Sequence, residues 1–279
     1  MKKQSGFTLV EIMVTAVIGL FLMASLMNLF ITTNKSVALS DALSQNQESG
    51  RFAMEYLTRY IRQAGYSTSG SVYAPAILSN KSTRANLSIP DAISANNPAN
   101  AYGDRIAIPY VTDGTEIYRS CSGATFPDEG QHLANVFWVS NDPDTEFELR
   151  CRTYNYDGDT GGAWLDGAAV SIVNNVQSME FQIGISNTAS DRTTSRYINL
   201  DTLDNDPALS LNQVRSYRIA LLTTSQDELD ANKVKTNSEE RQYSILDGPV
   251  LTIDDGNLRQ VFSNTIELPN MIETSIFNN

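Results

Sequence analysis

Met1-Lys2-Lys3-Gln4-Ser5-Gly6-Phe7-Thr8-Leu9-Val10-Glu11 leads into 23 residues, Ile12 to Asn34, that carry no charge. At ~1.5 Å rise per residue a helix of that length reaches ~35 Å, enough for a bilayer core of ~30 Å, with Thr15, Ser25 and Asn28 as polar interruptions. Lys2 and Lys3 hold the start on the cytoplasmic side, which sends the remainder across the membrane. A conventional cleaved signal fits poorly, although Ala38-Leu39-Ser40 offers small residues after the apolar run. The run is longer than the roughly 7 to 15 residues of an ordinary signal core, and Glu11 lies among apolar residues where a carboxylate is costly. A plain anchor accommodates the length and leaves Glu11 unexplained.

Downstream, Lys35 to Ala64 contains no proline and meets Gly65, a helix stop. Leu39, Leu43, Gly50, Ala53, Leu57, Ile61 and Ala64 recur every three or four residues and predict an apolar stripe facing a folded domain. One unbroken rod over 7–64 would extend ~87 Å; the alternative is a break near Gly50. After Gly65 short apolar or alternating segments separated by Ser, Asn, Asp, Gly and Pro predict an all-β or α+β domain over 65–279. Strands are expected at Arg105–Val111, Leu133–Ser140, Phe147–Tyr154, Met179–Ile185, Arg215–Thr224, Gln242–Ile253 and Leu258–Leu268, several pairing as antiparallel meanders. The stretches 68–101 and 186–211 read as insertions or surface loops.

With 20 Lys+Arg against 32 Asp+Glu and a formal charge of −12, the chain would repel a phosphate backbone, and no direct nucleic-acid binding is expected. Arg51, Arg59 and Arg62, on one predicted helix, read as a solvated face. Cys121 and Cys151 are too far apart for a C-x-x-C site. They are expected to form one disulfide in an oxidising compartment, with two buried thiols as the alternative. His132 is the lone histidine, so an H-E-x-x-H zinc site is excluded; the chain has no Gly-Lys dipeptide for a phosphate loop and no G-x-S-x-G elbow. Asp157-Gly158-Asp159 and the group Asp201, Asp204 and Asp206 resemble calcium-loop material but lack EF-hand spacing. Neither a catalytic site, a metal nor a cofactor is expected.

The opening segment, Lys2-Lys3-Gln4-Ser5-Gly6 followed by Phe7-Thr8-Leu9-Val10-Glu11, resembles the class III signal of type IV prepilins and pseudopilins. That resemblance implies a leader over 1–6, cut after Gly6 by a prepilin peptidase, and N-methylation of the new amine of Phe7. It implies a retained helix over 7–64, with a transmembrane part at about 12–34, packed on an exported α+β, antiparallel β-rich domain. It assigns Glu11 to assembly register: the carboxylate pairs with the Phe7 amine of a neighbouring subunit shifted along the filament, which offsets the cost of burying both charges. The segments Arg215-Ser216-Tyr217-Arg218-Ile219-Ala220-Leu221-Leu222, Asp255 to Leu268, Val176 to Gln182, Gly50 to Ala53 and Ile61 to Tyr66 are similar to PilW-type minor pilins. They imply a structural subunit that helps start pilus assembly at the tip. Its partners would be other minor pilins, the major pilin, the prepilin peptidase, the inner-membrane assembly platform and a tip adhesin. The chain would pass from the inner membrane, with its C-terminal domain periplasmic, into the pilus. A type II secretion pseudopilin shares the leader, Glu11 and the helix, and a tip binding or adhesion module is a further alternative.

Overall fold

Helix α1 (Leu9–Ile61) runs unbroken for 53 residues, a length of ~80 Å at standard rise. The computed structural model describes residues 8–66, 75–79, 102–113, 120–124, 129–142, 146–156, 162–165, 167–225, 240–254 and 257–273. Thr8 caps the start, its hydroxyl accepting from the Glu11 N–H. At the other end Asn270 donates to the carbonyls of Arg62 and Ala64, and Gly65, at φ +74°, turns the chain away in the left-handed region. The buried stripe of α1 is Ala42, Asn46, Gly50, Ala53, Leu57 and Ile61. Leu43 is exposed and Leu39 only half-buried, so the expected stripe is displaced upstream of Gly50. There Asn46 replaces an apolar contact with a hydrogen bond from its amide to the Leu258 carbonyl.

Two antiparallel sheets pack against the second half of α1. The first places β1 (Ile106–Asp113), β2 (Glu129–Asp142), β3 (Glu146–Asn155) and β4 (Ala163–Trp164) in that order, and β5 (Val170–Asn174) also pairs with β3. The second takes β6 (Val176–Ile185), β7 (Arg196–Ile198), β8 (Val214–Thr224) and β11 (Arg259–Glu267), in the order β11-β8-β6-β7. Between its strands lie α2 (Leu200–Asn205) and the pair β9 (Arg241–Tyr243) and β10 (Leu251–Ile253); α3 (Pro269–Glu273) follows β11. The two-residue side-chain period splits β8 cleanly: Ile219 and Leu221 join the core with α1, whereas Ala220 and Leu222 pack under β9 and β10 with Ile245. Residues before β1 tie the sheets together, because Asp104 N–H donates to the Met179 carbonyl and its carboxylate accepts from the Phe181 N–H.

The single strand expected over Gln242–Ile253 is instead this β9–β10 hairpin. Asp247-Gly248-Pro249 breaks it, with Gly248 N–H turned back onto the Ile245 carbonyl. The expected loop 186–211 contains β7 and α2, while of 68–101 only 75–79 belongs to the described residues. Cys121 and Cys151 form a disulfide, their Cα atoms 6.0 Å apart. It anchors a segment that α1 holds directly: the hydroxyls of Tyr56 and Tyr60 donate to the carbonyls of Cys121 and Ser120.

Candidate functional site

Every large apolar residue of α1 from Leu9 to Ile31 is exposed, Leu9 at 74 % and Phe21 at 73 %. This half of the helix is long and apolar enough to cross a membrane, and none of that window is covered by the folded domain. Its polar side chains are satisfied within the helix. Thr15 donates to the carbonyls of Glu11 and Ile12, Ser25 to Phe21, Thr32 to Asn28 and Thr33 to Leu29. Such a surface is matched to hydrocarbon or to other apolar helices, since every backbone group but those of the first turn is bonded internally.

Glu11 is the sole charge between Thr8 and Asn34. It lies in the first turn of α1, where the unsatisfied N–H groups favour a carboxylate. Its backbone N–H bonds the Thr8 carbonyl at 3.1 Å, and no described residue bonds its carboxylate. Gly6 and Phe7 lie outside the described residues. Glu11 therefore stands at the exposed tip of the helix, far along it from Cys121 and Cys151, which belong to the domain core.

The segments quoted for the PilW resemblance build the interior. Arg215 is 2 % exposed, and its guanidinium donates to the carbonyls of Ala189, Asp191, Asn212 and Val214. It thereby pins the connection after β6 to the start of β8. Tyr217, fully buried, donates its hydroxyl to the Ala76 carbonyl at 2.7 Å. A Cβ on Gly50 would overlap the Phe262 ring, so the glycine lets β11 close on α1.

One feature was not legible from the sequence. Glu180 of β6, 1 % exposed, lies beside Asp104 beneath the Gly248 turn, although its neighbours Met179 and Phe181 signal only a strand. Tyr154 and Tyr156 are buried in a satellite core. Asp206 accepts from the Ala208 N–H, and among the described residues no group of three His, Cys, Asp or Glu is placed to hold a metal ion. Asp157 to Asp159 lie outside the described residues.

Residues 136–270 match the family described as Type IV Pilus-assembly protein W, and residues 1–27 match the prokaryotic N-terminal methylation motif; together the two cover more than half of the chain. Among solved structures, a type IV-like pilin from Thermus thermophilus shares 16 % identity with a TM-score of 0.43, over 84 % of this chain and 98 % of the other. No curated protein matches the chain.

Proposed function

Because the chain belongs to the PilW family of type IV pilus-assembly proteins, we propose that it is a minor pilin, a low-abundance structural subunit that helps start pilus assembly at the tip with other minor pilins. The observation that carries this reading is one helix with two environments: an exposed apolar half bearing a lone carboxylate, and a second half packed into a domain matching that family. On this reading 1–6 is the leader, cut after Gly6 by the prepilin peptidase, and the new amine of Phe7 is methylated. About 12–34 crosses the inner membrane with the start cytoplasmic and 65–279 periplasmic, until the assembly platform extracts the subunit.

Glu11 then offers its carboxylate to the Phe7 amine of a neighbouring subunit. Each charge in an apolar packing loses water, and the pair offsets part of that cost only at one axial offset, which sets register. The major pilin stacks below, and a tip adhesin is the partner above. Deleting the gene and assaying surface pili and type II secretion in parallel tests the assignment. Loss of pili with secretion intact is the expected result; normal pili with lost secretion would make the chain a pseudopilin.

A further inference from the structure

Glu180 has no partner where its strand places it. Met179 and Phe181 enter the core with α1, so the two-residue period of β6 sends the Glu180 side chain to the opposite face, where its cross-strand neighbour is Ala220. The side chain is 1 % exposed, and neither carboxyl oxygen meets a hydrogen-bond partner among the described residues. Buried polar atoms are paired almost without exception, to protein, to water or to an ion, because an unpaired one forfeits its hydration.

Two glycines seat that carboxyl. A Cβ on Gly103, at φ +84°, would meet Glu180 Oε1 at 2.9 Å and would overlap the Met179 carbonyl, and a Cβ on Gly248 would overlap the Glu180 carboxyl itself. Each glycine adjoins an aspartate. Asp104, 2 % exposed, is fixed: its N–H donates to the Met179 carbonyl at 2.6 Å and its Oδ2 accepts from the Phe181 N–H at 3.1 Å, which keeps its carboxylate beside Glu180. Asp247 is exposed on the turn that covers them. The charged groups that act on Glu180 are these two, and both are acidic. The approach to β1, the middle of β6 and the β9–β10 turn thus bring negative charge to one place.

A proton neutralises one of two adjoining buried carboxylates. A divalent cation neutralises both, and it takes up oxygens that no donor meets. Calcium accepts roughly six to eight oxygens in flexible geometry, so two carboxylates completed by backbone carbonyls and water can hold it, whereas magnesium keeps its water and demands an octahedron. We propose that Glu180 and Asp104 hold a divalent cation of the calcium class beneath the Asp247-Gly248 turn, with Asp247 supplying charge on the solvent side rather than a ligand. The ion fastens the β9–β10 hairpin to β6 and to the segment before β1. The site stands on this geometry and is independent of the function proposed above.

The test uses the full chain, purified in detergent, stripped with EDTA and titrated at neutral pH with calcium chloride, with magnesium chloride as the parallel arm. Binding is read by calorimetry and stability by thermal unfolding. One equivalent of calcium should bind and raise Tm by about 5 to 10 °C at ~100-fold excess over its Kd, with magnesium giving a smaller rise. Glu180→Gln keeps the size of the side chain and removes its charge; it should fold in EDTA and show no rise with calcium. Asp104→Asn retains an acceptor for the Phe181 N–H and should weaken calcium binding by about tenfold or more. Hydrogen exchange of the wild-type chain needs no variant: calcium should slow exchange about tenfold in the peptides around Asp104 and Gly248. No calcium binding by the wild type, a magnesium response equal to that of calcium, a full rise in folded Glu180→Gln, or slowed exchange confined to other segments overturns the proposal.

Discussion

Glu180 shows how one buried side chain sets a pH dependence. Burial first, and then the negative charge of Asp104, push its carboxyl up to about 9, with a smaller contribution from Asp247. Both oxygens are buried and neither meets a donor among the described residues, so burial and the neighbouring Asp104 favour the protonated carboxyl. A group raised above its unfolded value contributes fully below that value, near 4.3, and loses its contribution as pH rises through the folded one. Glu180→Gln, which keeps the shape of the side chain without a titrating proton, should raise stability at pH 8 by about 1 to 3 kcal/mol. It should also flatten the slope between pH 5 and 8 in urea titrations; an unchanged slope contradicts the assignment. Glu11 is the opposite case, a carboxylate whose partner is expected outside the chain. Glu11→Ala should leave processing intact while cutting incorporation into pili several-fold, read by immunoblotting of sheared filaments; wild-type incorporation would remove the pairing role. Glu11 was legible because its signal is local, the lone charge in an apolar run. Glu180 was not, because Asp104 and Asp247 reach it only through the fold.

At the scale of elements, α1 joins two sequence patterns that were read separately, an apolar run and an amphipathic stripe. It continues through Gly50 because the Phe262 ring fills the space a side chain would take. Leu43 misled the stripe because periodicity marks a face, not where the covering strand begins; β11 starts one residue past Leu258, which is held by Asn46. In the second sheet β6, β8 and β11 were legible from alternating apolar residues, whereas β7 lay in a stretch read as a loop, and β5 of the first sheet was missed in a short segment whose partner, β3, lies earlier in the chain. The disulfide is the element-level constraint most open to test. Closing a loop of this size should contribute about 3 to 4 kcal/mol. Thiol labelling of Cys121 and Cys151 should occur only after reduction, and reduction should lower the urea midpoint; labelling without reduction would contradict the bond.

The whole molecule is organised around one division of labour. Half of α1 has its apolar face covered by two sheets and a disulfide-held segment, and the other half keeps an apolar surface that water cannot satisfy. The domain is built so that Arg215, Tyr217 and Gly50, all within segments of the family resemblance, secure its loops and the seat of the helix rather than a reactive site. The apolar half calls for a membrane before assembly and for neighbouring helices after it, and removal of residues 1–6 would convert the first state to the second. The most direct measurement is the N-terminal mass of the chain recovered from purified pili, alongside a Gly6→Ala variant. The expected result is a chain starting at N-methylated Phe7 in the pili and an unprocessed Gly6→Ala precursor confined to the membrane; a chain starting at Met1 in pili, or normal trimming of the variant, would contradict it.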